Sequence, residues 1–276
     1  ITVASAVKDG IHTNDKIIIG GGILKVKASG DGLDCEKGFI DIRGGLIKAD
    51  ISGDASKAVK AETDITLSGG QLILLTSGSG VYEDNDLSSA AGIKCDGNLV
   101  MNGTTLLVKS TGAAGKGINC DGTLSIDNST VKIITTGKQY VYNRLDSSAK
   151  GIKADGNLTI NSGEGSEGIE SKSTLTVNGG DVSVYSYDDC MNASKSIVIN
   201  GGNIYCYSSG NDGVDSNGTL TITGGTIVSI GTTSPEEGFD CDQNTFKITG
   251  GTILGIGGGT SNARLSMAVR VVKVRF

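Results

Sequence analysis

Along most of this chain, short runs alternate apolar and polar residues, and the runs recur at a nearly fixed offset. One line repeats: a small residue, an apolar one, then a polar one. It reads Asp9-Gly10-Ile11-His12, Asp31-Gly32-Leu33-Asp34, Lys57-Ala58-Val59-Lys60, Ala91-Gly92-Ile93-Lys94 and Lys116-Gly117-Ile118-Asn119. It continues at Lys150–Lys153, Glu167–Glu170, Asp189–Asn192, Asp212–Asp215 and Glu237–Asp240, mostly 22 to 26 residues apart. Side chains alternate across a strand, so the apolar third position points inward and its polar successor outward. Two residues further on, the inward position is always small, as at Cys35, Ala61, Cys95, Cys120, Ser216 and Cys241. A second strand follows (Leu124–Ile126, Leu220–Ile222), then a Gly-Gly corner (Gly69-Gly70, Gly224-Gly225) and a third strand (Val182–Val184, Ile204–Cys206). Three short strands and their corners, repeated in parallel, predict an all-β fold: a single right-handed parallel β-helix of about ten coils. One domain, residues 1–276, is expected, with the repeat over about 9–256 and a C-terminal capping segment over 261–276.

Composition narrows the class. The chain has 276 residues with 44 glycines, one proline and no tryptophan. Glycine without a G-X-Y period excludes collagen, and the regular alternation argues against disorder. A net charge of −6 leaves no basic surface for phosphates, so a nucleic-acid partner is not expected. No apolar run is long enough for a transmembrane segment. The start at Ile1 reads as a processed or trimmed N-terminus, and a monomer is expected. Because five of the six cysteines fall at inward positions, the set reads as buried thiols acting as small hydrophobes.

Acidic residues concentrate at the two outward positions flanking the glycine–apolar pair. In the late coils these are Glu167, Asp189, Asp212 and Glu237, then Glu170, Asn192, Asp215 and Asp240, with Asp188 alongside. Parallel strands lie about 4.8 Å apart, so such carboxylates repel unless a cation sits among them. Oxygen-only ligands at this density suit Ca²⁺. A smaller copy, Asp9, His12, Asp31 and Asp34, occupies the first two coils.

The middle coils invert the sign, with Lys57, Lys60, Lys94, Lys116, Lys150 and Lys153. Glu62, Asp96, Asp121 and Asp155 stand two residues beyond the second position and can pair with them. Alternatively, Lys60, Lys94 and Lys153 can receive the carboxylates of an acidic polysaccharide. Two longer coils carry insertions, 81–89 with Tyr82 and 140–148 with Tyr142, expected as neighbouring flaps above the lysine edge. Four of the seven tyrosines, Tyr185, Tyr187, Tyr205 and Tyr207, fall on two successive third strands with their inward neighbours apolar. They are expected to point out as an aromatic patch, either a structural ladder or a surface for sugar rings.

The recurrent line seen in Ala91-Gly-Ile-Lys-Cys-Asp-Gly97 and in Gly213-Val-Asp-Ser-Asn-Gly-Thr-Leu-Thr-Ile-Thr-Gly-Gly225 resembles a bacterial family of calcium-dependent carbohydrate-binding-domain proteins. The resemblance covers Asp9 to about Gly251. It implies a β-helix similar to pectate-type polysaccharide lyases, binding of cellulose or polygalacturonate, calcium at paired acidic coils, and an extracellular or cell-surface location. The family-like acidic positions are Asp9, Asp31 with Asp34, Asp189, Asp212 with Asp215, and Glu237 with Asp240; Cys190 replaces a glycine. Three functions stay open: a non-catalytic calcium-binding polysaccharide module, a calcium-assisted lyase with a lysine base, and a surface adhesin or scaffold.

Overall fold

The computed structural model describes residues 1–83, 85–160, 163–165, 168–259, 261–265 and 270–275. Of 158–160, 163–165, 264–265 and 270–275 it describes the backbone alone. The chain divides into two compact units, Ile1–Leu124 with Asn128–Lys153, and Ser125–Asp127 with Ala154–Phe276. Each is a parallel β-solenoid, the turns number about ten along the chain, and no helix occurs among the described residues.

In the N-terminal unit the first sheet stacks Ile11–Thr13, Leu33–Cys35, Lys57–Ala61, Ala91–Cys95 and Lys116–Cys120. The second contains Lys16–Ile19, Phe39–Ile42, Ile65–Leu67 and Leu99–Asn102. The third runs from Thr2–Ala6 through Ile23–Ala28, Leu46–Ile51, Gln71–Thr76 and Thr105–Ser110 to Ser129–Thr135. In the C-terminal unit the first sheet stacks Ile169–Ser171, Met191–Ala193, Val214–Ser216 and Phe239–Asp240. Its third sheet runs from Gly163–Gly165 through Asp181–Ser186, Asn203–Ser208, Thr226–Ile230 and Thr252–Gly257 to Arg270–Arg275. That last strand belongs to the expected capping segment; residues 266–269 and Phe276 lie outside the described residues.

Repeat position fixes depth. Leu33, Val59, Ile93, Ile118, Met191, Val214 and Phe239 are all buried, as are all six cysteines, which are free thiols. Cys95 and Cys120 face each other across adjacent coils with Sγ atoms 3.4 Å apart. Truncating one of these Ile or Leu residues to Ala is expected to cost about 2–5 kcal/mol, since neighbouring coils hold the cavity open. The Gly-Gly corner is a backbone requirement. Gly225 sits at φ +96°, and an added Cβ would lie 2.8 Å from the Gly202 carbonyl oxygen one coil below. Only glycine meets both conditions without displacing the stack.

Candidate functional site

Four first-position carboxylates have a structural task that sequence reasoning missed: Asp9, Asp31, Asp189 and Asp212 each accept the backbone N–H at the same position one coil later. The Asp31 amide donates to Asp9 Oδ1 (2.7 Å), the Lys57 amide to Asp31 Oδ1 (2.6 Å) and the Asp212 amide to Asp189 Oδ1 (3.1 Å). The Glu237 amide donates likewise to Asp212 Oδ1. These bonds satisfy backbone donors at a corner where the sheet ladder is interrupted. An acid one coil length upstream of each corner was the available signal.

In the N-terminal unit, Asp34 is buried and Asp31 largely so, and Lys60 holds both. The Lys60 ammonium lies 3.3 Å from Asp31 Oδ2 and 3.2 Å from Asp34 Oδ1. Burial pulls Lys60 down, but Asp31 and Asp34 outweigh it, and its pKa is raised. Burial raises Asp31 despite the Lys57 amide and the two lysines. His12 Nδ1 lies 2.7 Å from Asp34 Oδ2 and 3.9 Å from Asp9 Oδ2. Asp9, His12 and Asp34 each present one donor atom within 4.8 Å of the others.

The C-terminal unit gathers Asp212, Asp215 and Asp240, again with one carboxylate oxygen each within 4.8 Å. Asp189 is tied in through Asn192, whose Nδ2 donates to Asp215 Oδ2 (2.5 Å) and Asp189 Oδ2 (3.3 Å). Burial raises Asp189 to about 7, helped by Asp215 and Asp188. Burial likewise raises Asp212 to about 7 and Asp215 to about 6, against the pull of the Glu237 amide on the former. No basic side chain pairs with Asp189, Asp212, Asp215 or Asp240 among the described residues. The other expected ligands stand at the margin. Asp188 accepts Asn211 Nδ2 at 2.8 Å, Glu237 serves through its backbone, and Glu167 lies outside the described residues.

The lysine column is mostly engaged by the protein itself. Lys94 Nζ lies 2.5 Å from Asp96 and 2.7 Å from Asp121; burial pulls its pKa down, but these two carboxylates outweigh burial and raise it. The two insertions are antiparallel hairpins, Val81–Glu83 with Asp86–Ser88 and Tyr140–Tyr142 with Leu145–Ser147. Lysines below anchor their bases: Lys57 Nζ donates to Ser88 Oγ (3.1 Å), and buried Lys116 donates to Ser147 Oγ (2.9 Å) and the Ser148 carbonyl (2.5 Å). The flaps also touch. Tyr82 and Tyr142 stack with ring centroids 4.4 Å apart and planes at 13°, so each covers a face of the other. Lys153 sits on the strand Lys150–Ala154 at the position expected for the column.

The four clustered tyrosines do point out. Tyr185 and Tyr207 are register partners, 52% and 42% exposed, with centroids 6.4 Å apart; Tyr205 lies 5.5 Å from Tyr185. Tyr187, 81% exposed, stands at the corner leading directly into Asp188 and Asp189. The strands that carry the three rings thus end one corner before Asp189 and Asp212 along the chain.

No helix of the described residues is long and apolar enough to cross a membrane. No curated protein and no solved structure matches the chain. A family profile described as "Carbohydrate-binding domain-containing protein" matches residues 1–137, 110–213 and 163–268. These overlapping matches are what a repeat aligned in successive registers gives, and they span the acidic groups, the flaps and the tyrosine strands alike. With nearly its whole length matched, this chain belongs to the family of carbohydrate-binding domain-containing proteins.

Proposed function

We propose that the protein is a non-catalytic module that binds plant cell-wall or acidic polysaccharide outside the bacterial cell or on its surface, stabilised by calcium. The supporting observation is the Asp212–Asp215–Asp240 group, in which burial raises Asp212 and Asp215, with no basic partner among the described residues and one corner along the chain from an exposed tyrosine surface. Calcium takes six to eight oxygens, and this group with Asp189 supplies several at once. Tyrosine rings offer flat apolar faces to sugars and a hydroxyl at the edge. Calcium is proposed for the C-terminal group alone, because the Lys60 ammonium already stands between Asp31 and Asp34.

A lyase would need a lysine poised to lose its proton beside the metal. Lys60 and Lys94 are instead held between carboxylates that raise their pKa. Lys57 is lowered by burial, but its ammonium is turned to Ser88 beneath a flap. The test is retention on immobilised polygalacturonate and cellulose with calcium and with chelator, alongside an ultraviolet assay for unsaturated product. Calcium-dependent retention without product is expected; product formation would transfer the reading to the lyase, and no retention on either polymer would overturn it.

A further inference from the structure

The chain has one histidine, and it stands in the N-terminal acidic group. We propose that His12, Asp9 and Asp34 form a site for a borderline divalent transition ion of the zinc class, separate from the calcium group. Donor type comes first. An imidazole nitrogen is a poor ligand for hard cations and a common one for zinc, nickel and copper.

Spacing comes second. Arms of 2.0–2.1 Å in a tetrahedral site separate ligand atoms by about 3.3 Å. His12 Nδ1 stands 2.7 Å from Asp34 Oδ2 and 3.9 Å from Asp9 Oδ2, bracketing that value. Calcium needs more oxygens than remain, since Lys60 and the Lys57 amide occupy Asp31, and Lys60 sits 3.2 Å from Asp34 Oδ1.

The surroundings supply a third and independent argument. Glu36 Oε2 lies 3.9 Å from His12 Nε2, on the ring nitrogen facing away from Asp34. Metal-ligating histidines commonly direct their second nitrogen to a carboxylate, which fixes ring orientation and strengthens the ligand. The Asp34 side chain is only 6% exposed, and its Oδ1 faces the Lys60 ammonium at 3.2 Å. Oδ2 is thus left to His12. The imidazole itself is 46% exposed, so the fourth position opens to water.

The experiment titrates Zn²⁺, and Co²⁺ as a visible probe, into the full chain in excess Ca²⁺. One equivalent of Zn²⁺ is expected, with Co²⁺ giving the intense d–d bands of a four-coordinate ion. His12→Gln should weaken Zn²⁺ binding by at least about tenfold, and Glu36→Gln by about ten- to hundredfold. Asp215→Asn should leave Zn²⁺ binding unchanged. Wild-type Zn²⁺ affinity in His12→Gln, displacement of Zn²⁺ by equimolar Ca²⁺, or a Co²⁺ spectrum like that of the aqueous ion would each overturn the proposal. If His12→Gln fails to fold, the Co²⁺ spectrum of the wild type and the Glu36→Gln affinity decide.

Discussion

Asp31 and Asp34 in the N-terminal unit occupy the same two repeat positions as Asp212 and Asp215 in the C-terminal unit. The difference lies one coil further along. There the N-terminal unit presents Lys57 and Lys60, whereas the C-terminal unit presents Glu237 and Asp240. Lys60 reaches back to both acids, so that group carries its own cation. In the C-terminal unit the third carboxylate adds to the repulsion instead, and burial with neighbouring acids raises Asp189, Asp212 and Asp215. One scaffold thus makes a group with a cation of its own or one that demands calcium, by the sign of the residues one coil further along.

The largest expected effect is loss of calcium from the C-terminal group. Binding to the native state alone adds about 2.7 kcal/mol at a hundredfold excess over Kd, worth roughly 5–10 °C in Tm for a chain of this size. Chelator should lower Tm by that much, and Ca²⁺ should restore it better than Mg²⁺, which resists dehydration. Asp212→Asn with Asp215→Asn should erase the calcium response while keeping an acceptor for the Glu237 amide. A chelator-insensitive wild-type melt would remove calcium from the account.

Exchanging the distinguishing residue gives the next effect. Lys60→Asp leaves Asp31 and Asp34 without their partner and should cost about 1–3 kcal/mol, the penalty of a buried polar group left unpaired. Much of that loss should be recoverable with Ca²⁺, because the N-terminal group would then resemble the C-terminal one. Thermal melts of Lys60→Asp with calcium and with chelator check both halves. Equal melting under the two conditions would show that the neighbouring charge does not set calcium demand.

Tyr207→Ala addresses binding rather than stability. With the ring 42% exposed, polysaccharide retention should weaken by about 1–2 kcal/mol while Tm changes little. Affinity electrophoresis in excess calcium measures this, and a fall in Tm with unchanged retention would make the tyrosines a structural ladder.

A pH dependence confined to the metal-free protein is expected as well. Folded-state pKa values near 6 to 7 exceed the ordinary value of 3.8, so the native chain binds these protons more tightly than the unfolded one. Stability in chelator should therefore fall as pH rises from about 4 to about 7, then level off. Calcium displaces the same protons, so its stabilisation should grow across that window. Melts in chelator that rise with pH would contradict the burial of these acids.

The coils were legible because a period of two, interrupted at fixed corners, leaves little freedom: Ile93 must face in if Lys94 faces out. The outward tyrosines and the hairpin flaps followed from the same count. The alternation places Asp34 and Asp212 outward, yet both are buried: His12 and Lys60 close on Asp34, and the Glu237 amide meets Asp212. The backbone-capping task of Asp9, Asp31, Asp189 and Asp212 was equally hidden, since the amide it serves belongs to the next coil.

By itself the sequence determined the repeat, the inward column and the face on which each charge stands, because alternation and coil length are local properties. Only the tertiary structure decided which charges meet. Lys60 reaching back to Asp31 and Asp34, Lys57 and Lys116 turned under the flaps, and Asp240 closing on Asp212 and Asp215 all depend on distances between coils. Coulomb energy and burial are set by those distances, and residues one turn apart along the solenoid are some two dozen apart along the chain.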